Sequence, residues 1–379
     1  MSKSSTQLPE PEISSLSIGY MRLTDSAPLI VAQELGLYKK YGLEVELKQQ
    51  VSWANIRDKL SVGGLDAAHM LAPQLLMAST GMTGMRIPLV TGLVLSLNGN
   101  AITLSRALSD EINAHIASKK LSVDPTTTAQ SFADLVKNNT SRKLTLATVH
   151  TFACHTLLLH RWLKLGGLDP HSDVRIIVLP PQQMVDSLAK GVIDGYCVGE
   201  PWNTIAVQHG IGSIISTGYE IWPNAQEKVL AVTESWHQKH PSTHLRLRLA
   251  LMEAAEWLSE DMNRITTAST LASPNYLDLI PPMLSPSLTG EIVAKKGANA
   301  QLQPDFHLFF KQTAGFPWRD EAENLLMEST QAIGVDMDRE FLTAIAQRAY
   351  RTDLYREASR YLDIDHPASD RKAKDALAH

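Results

Sequence analysis

An α/β protein built as two lobes is predicted by three observations. Short strand-like apolar runs alternate with helix-like segments, the pattern of largely parallel sheets. The chain, at 379 residues, is too long for one ordinary core and suits two domains of about 150 to 200 residues. The alternation also runs twice, interrupted from about residue 108 by the polar, charged stretch "DEINAHIASKKLSVDPTTTAQSFADLVKNNTSRK".

In chain order, "LSIGYM" (16–21) reads as a strand, "APLIVAQELGLYKKYG" as a helix stopped by Gly42, and "LEVELKQQ" as a second strand. Ser52 is the expected N-cap of the helix "WANIRDKLSVG". "LDAAHML" is a third strand, and "PLVTGLVLSLNGNAITLS" a fourth that breaks at Asn98-Gly99-Asn100. The second cycle starts at "LTLATVH". It continues through the helix "FACHTLLLHRWLKLGG", the strand "VRIIVLP", the helix "PQQMVDSLAKG", the strand "DGYCVG" and the helix "PWNTIAVQHG". From 228, "KVLAVTE" is a strand and the rest is almost entirely helical, so those helices are expected to pack back on the first lobe. The predicted organisation is residues 16–105 with 226–365 as lobe 1, 106–225 as lobe 2, crossings near 105 and 225, and a frayed tail over 366–379.

Composition narrows the function. Hydrophobic residues make up 44% and charged residues 20%, close to soluble globular averages. A net charge of -5 and a pI near 6.2 argue against direct nucleic-acid binding, which needs a basic stripe to neutralise phosphates. Cys154 and Cys197 are too few for a disulfide framework and match no zinc spacing. No run is long and apolar enough for a membrane helix. The start "MSKSSTQLPEPEISSLSIGYM" lacks the apolar core of a secretory signal, so a cytoplasmic protein is expected. A mature exported chain restarted at a new Met reads the same way.

Catalytic fingerprints are missing: there is no G-x-G-x-x-G after the first strand, no phosphate-binding P-loop, no H-E-x-x-H and no G-x-S-x-G. What remains is polar and aromatic residues at strand ends, where open α/β sheets bind ligands. Thr24, Asp25 and Ser26 open a helix, either as an anion-accepting turn or as an ordinary cap. Trp53 is a flat wall for a small ligand or a packing aromatic, and His69, at a strand end, is a hydrogen-bonded core histidine or a ligand contact. Asn98, Gly99 and Asn100 offer amides or simply turn the chain. His155, in the first turn of a helix, can donate to an anion or lie on the surface. Its neighbour Cys154 points about 100° away around the helix, so the two make no catalytic pair. Gln182 in "PPQQM" and Glu200 in "GEPW" sit at further helix starts, with buried turn structure as the alternative.

Taken together and in order, "LTDSAPL", "SWANIRDKL", "LNGNAITLS", "HTLLLHRWL", "CVGEPWN" and "EKVLAVTESWHQKHPSTH" resemble the nitrate/bicarbonate-binding substrate-binding proteins of the NrtA/CmpA family, from about residue 16 to beyond 330. The resemblance implies a two-lobed periplasmic-binding-protein type II fold that closes on one small oxyanion. It assigns the pocket tryptophan to Trp53, a polar amide to Asn100 where transporters usually carry Gln, and the second-lobe histidine to His155. The family lysine is expected after the "TH" of the long helix, where Leu245 stands, with Arg246 as the neighbouring cation.

Combined with the N-terminus, the resemblance points to the cytoplasmic branch, the NasS-type nitrate/nitrite sensors. It implies a partner, a NasT-type antiterminator with an ANTAR RNA-binding domain, held inactive until nitrate or nitrite binds. The expectation is a non-enzymatic sensor that needs no cofactor or metal, because nitrate calls only for hydrogen-bond donors and a flat apolar wall. An exported binding protein of an ABC transporter is the first rival. Enzymes on the same fold, such as thiamine pyrimidine synthases or cysteine-dependent desulfinases, are the second; the cysteine-rich "CCCFC"-type motif of the synthases is absent.

Overall fold

Two crossings of the chain divide the molecule into lobes, and each crossing ends in a strand inserted antiparallel into the sheet it enters. The computed structural model describes residues 7–82, 84–139 and 142–372. Within these, the strands before the first crossing are β1 (Ser15–Tyr20), β2 (Glu44–Gln49), β3 (Ala67–Leu71), β4 (Leu89–Val90) and β5 (Val94–Asn98). Those between the crossings are β6 (Asn100–Ser105), β7 (Thr145–Thr148), β8 (Arg175–Val178), β9 (Gly195–Gly199) and β10 (Gly212–Thr217). After the return come β11 (Gln226–Thr233), β12 (Glu291–Ile292), β13 (Gln301–Leu302) and β14 (His307–Leu308).

Lobe 1 holds a seven-stranded sheet in the order β14-β5-β11-β3-β1-β2, with β4 beside β11; lobe 2 holds a five-stranded sheet, β10-β6-β9-β7-β8. The two share one plan. β1 runs parallel to β2 and β3, and β7 runs parallel to β8 and β9, as βα crossovers require. β11 enters antiparallel beside β3, and β6 enters antiparallel beside β9. The strand expected to break at Asn98-Gly99-Asn100 does break there, and its two halves, β5 and β6, belong to different lobes. The first crossing falls at this turn rather than near residue 105, because β6 pairs with β9 and β10.

The turn has a local cause. Asn98 and Gly99 have φ of 60° and 81°, left-handed conformations that Asn tolerates and Gly adopts freely. A Cβ on Gly99 would also stand 2.8 Å from His307 Nε2. Ser52 accepts a hydrogen bond from the Asn55 amide at 3.2 Å and caps the helix Trp53–Ser61, which makes Trp53 the first residue of that helix. The helix expected to run to Gly42 is divided, because Gly36 at φ 67° separates Ala27–Glu34 from Leu37–Lys40.

Of the C-terminal helices, Pro241–Trp257 packs on Ala27–Glu34 and on Thr352–Leu362, while Arg319–Ala332 and Arg339–Ala349 pack on Ala72–Thr80 of lobe 1. They also clasp lobe 2: Arg161 pairs with Glu328, the Ile214 amide donates to Ala294 O at 2.8 Å, and Lys295 Nζ lies 2.7 Å from Asp110. The tail expected to fray from 366 is held through residue 372. Asp370 pairs with Arg319 at 2.5 Å and Arg356 at 2.7 Å, and Arg371 pairs with Glu323. The remainder of that tail lies outside the described residues.

Gly99→Ala is expected to cost about 1–2 kcal/mol from the left-handed backbone alone, and more from the collision with His307. A guanidinium unfolding midpoint equal to that of the native chain would contradict this account of the crossing.

Candidate functional site

The carboxyl ends of parallel strands from both lobes face one another across the crossings, and the polar side chains there are almost wholly buried. Lys228, near the start of β11, is the centre. Its Nζ lies 2.8 Å from Asp25 Oδ2 and 2.6 Å from Glu227 Oε1, with all three side chains at most 4% exposed. Consecutive residues of a regular strand point to opposite faces. β11 escapes this because its register against β5 shifts on both sides of Lys228, a bulge that lets Glu227 and Lys228 reach the same cleft.

Each carboxylate has a further partner, as buried ion pairs need if attraction is to offset desolvation. Asp25 Oδ1 is 3.1 Å from His69 Nε2. Glu227 Oε2 accepts from Asn100 Nδ2 at 2.8 Å, and His155 Nδ1 stands 3.4 Å from Glu227 Oε1. The Trp53 ring completes the wall, its centroid 5.3 Å from Lys228 Nζ and 5.7 Å from that of His69. Gly199, at the end of β9, leaves the space open: a Cβ there would lie 3.4 Å from Asn100 Oδ1, 3.5 Å from His155 Nε2 and 3.6 Å from Asp25 Oδ2. Those three atoms converge on one spot. Asp25, Trp53, His69, Glu227 and Lys228 come from lobe 1; Asn100, His155 and Gly199 come from lobe 2.

Burial raises the Asp25 carboxyl, but Lys228 and His69 outweigh it and hold the group well below the usual carboxylate range. Burial likewise raises Glu227, which His155, Lys228 and Asn100 bring below its ordinary value. Lys228 goes up despite its burial, because Asp25 and Glu227 stand beside it. Burial lowers His155 to about 4 and His307 to about 3, so both are neutral near pH 7. The Cys154 thiol, pushed well up by burial and Glu227, donates to Gln226 O at 2.9 Å and is no nucleophile.

Trp53, Asp25, His69, Asn100 and His155 are thus brought together. Thr24 adjoins them, its amide donating to Glu200 O across the lobes at 2.8 Å. His69 lies in the middle of β3 rather than at its end, since the strand continues to Leu71 before the next helix opens. Gln182 is exposed and donates to Val51 O at 3.1 Å, which joins the lobes at the rim without reaching the cluster. The Glu200 carboxylate turns away from the cluster to accept from the Thr204 amide at 3.1 Å.

Arg246 is a correction. Its Nη1 donates to Tyr41 O and its Nε to Pro9 O, both at 2.7 Å, behind lobe 1 and away from the cleft, and Leu245 is packed in the lobe-1 core. The cation is Lys228, missed because "KVLAVTE" read as a plain strand. The available signal was a Glu-Lys pair opening an otherwise apolar strand at the second crossing. Among the described residues, no group of three or more His, Cys, Asp or Glu is arranged to hold a metal ion.

Residues 9–272 match the model of the NMT1-like family. The chain belongs to that family. It is 32% identical over 372 residues to the nitrate/nitrite binding protein NrtA of Synechococcus elongatus, covering 95% of this chain and 81% of that protein. It is 37% identical over 349 residues to the nitrate import ATP-binding protein NrtC of Synechocystis, covering 92% of this chain but only 50% of that protein, so the chain spans about half the length of this relative. The crystal structure of the periplasmic nitrate-binding protein NrtA from Synechocystis superposes with a TM-score of 0.89 at 26% identity, covering 96% of this chain and 94% of that one. The fold is the two-lobed periplasmic-binding-protein fold, and the chain stands with the NrtA/CmpA-like nitrate- and bicarbonate-binding proteins of the family.

Burial pushes the Glu200 carboxyl up to about 7 from 4.5, against the bond from Thr204. Between those values the native protein keeps a proton that the unfolded chain has released, so this group's contribution to stability declines as pH rises through the interval. Glu200→Gln keeps the bond to Thr204 and removes that loss. The variant's melting temperature is expected to gain on the native one between about pH 5 and about pH 8; a difference independent of pH would refute the assignment.

Proposed function

We propose that the chain is a non-enzymatic receptor for a small planar oxyanion, nitrate or nitrite, bound between the lobes. One observation carries this reading. His155 Nε2, Asn100 Oδ1 and Asp25 Oδ2 converge beside Gly199, and Lys228 Nζ, which holds that Asp25 oxygen, lies against the Trp53 ring, so residues of both lobes meet at one buried cluster. An ammonium supplies charge, an indole face supplies a flat apolar wall, and an imidazole N–H supplies a directional donor, while the Asn100 amide N–H is spent on Glu227. Nothing in the cluster activates a nucleophile, since the buried cysteine is held as a neutral thiol. The names of the NrtA relatives, nitrate/nitrite binding proteins, support the choice of anion.

In this proposal the chain acts in the cytoplasm as a NasS-type sensor. Lobe closure on the anion alters the surface that holds a NasT-type ANTAR regulator, provided the ligand favours the closed form. An acidic chain that leaves RNA contact to its partner is consistent with the net charge of -5. A second reading, as the ligand-binding part of an import system, is favoured by the likeness to half of the NrtC ATP-binding protein.

Calorimetry with nitrate, nitrite and bicarbonate tests the receptor reading, and Trp53→Ala is expected to weaken nitrate binding by about tenfold or more. Absence of heat and of any thermal shift with all three anions at millimolar concentration would end it. The two roles separate in a complex copurified with a NasT-type protein. Saturating nitrate dissolves that complex in the sensor reading and leaves the import reading without a counterpart.

A further inference from the structure

The buried cluster carries one ammonium, Lys228, against two carboxylates, Asp25 and Glu227. A monovalent anion that enters adds a further negative charge among buried side chains, and uncompensated buried charge is costly. His155 offers the compensation by position. Its Nδ1 faces Glu227 Oε1 at 3.4 Å, and its Nε2, buried without a hydrogen-bond partner, opens on the spot beside Gly199.

A neutral imidazole carries one N–H. If the hydrogen is on Nδ1, it meets Glu227 and the lone pair of Nε2 meets the anion. If it is on Nε2, it meets the anion and the lone pair of Nδ1 faces the Glu227 carboxylate. Only the imidazolium donates on both sides.

We propose that a monovalent oxyanion enters this cleft together with one proton, which settles on His155 between Glu227 and the anion. This rests on the receptor reading above and deepens it, because it makes affinity a function of pH. The groups that face His155 are Glu227 and Lys228 of β11, Asp25 after β1, and the amide of Asn100 on β6. Beyond them stand His69 against Asp25, His307 with Arg264 behind it, and the thiols of Cys154 and Cys197. Of these, Lys228 and Arg264 are already charged, and the two thiols are pushed up by burial.

In the free protein His155 titrates near 4, and an anion at Nε2 raises that value. The bound form therefore holds more protons than the free form between the two values. Binding strengthens as pH falls through that window, and the gain is complete below about 4.

The test is calorimetric titration of the whole chain with sodium nitrate in bis-tris and in Tris, two cationic buffers of different ionisation enthalpy, at the same pH near neutrality. The expected result is net proton uptake on binding, approaching one per nitrate where the pH lies well inside the window between the free and bound values, with Kd rising by up to about tenfold per pH unit within that window. In His155→Gln, which keeps donor and acceptor but does not titrate in this range, proton uptake is expected to vanish and the pH profile to flatten. If the variant does not fold, the two-buffer measurement on the native chain still decides. Nitrate binding with no proton exchanged overturns this proposal and leaves the receptor reading standing. Absence of binding by nitrate, nitrite and bicarbonate at every pH overturns both.

Discussion

Lys228 is the constraint around which the rest of the molecule is arranged. A buried ammonium is tolerable only if anionic partners approach it closely and their other lone pairs are also satisfied. Here Asp25 and Glu227 supply the charge, and His69 and Asn100 hold the carboxylates in turn. Asp25 follows β1, His69 belongs to β3, Glu227 and Lys228 open β11, and Asn100 opens β6 of the other lobe. The network therefore ties three strands of one sheet to the first residue of a strand in the second. The bulge in β11 and the left-handed turn at Asn98-Gly99 are the backbone features that let those chains meet.

The same arrangement fits the proposed reading as a receptor. The cleft contains a permanent cation, an aromatic face and polar atoms of both kinds, but its thiol is neutral and donates to a backbone carbonyl. In the proposed function such a site discriminates among small anions and couples their arrival to the relative position of the two lobes. The clasp of C-terminal residues on lobe 2, through Glu328, Ala294 and Lys295, lies where a change in lobe angle would be felt at the surface.

Much of this was legible in the sequence, for identifiable reasons. The strand and helix alternation follows from local periodicity, and Ser52 before Trp53 is a local capping signal, so the position of Trp53 at a strand end could be read directly. His155 at a helix start was legible in the same way. Lys228 was not, because a strand reading assigns alternate faces and no local signal marks the bulge that sets Glu227 and Lys228 side by side. Arg246 was misplaced because a helix buried nearly all round, as Pro241–Trp257 is, gives no sign of which side turns to the cleft. The crossing was read a few residues late for a related reason. β5 and β6 have the same apolar character, and only their pairing partners, far away in the chain, distinguish the lobes.

The central claim is that an anion binds at Lys228, between the lobes. A crystal structure of the chain grown with sodium nitrate tests it most directly. The account predicts nitrate lying against the Trp53 ring, within hydrogen-bond distance of Lys228 Nζ and His155 Nε2. Nitrate bound elsewhere, with Lys228 still clamped between Asp25 and Glu227 and the spot beside Gly199 filled by protein, would contradict it.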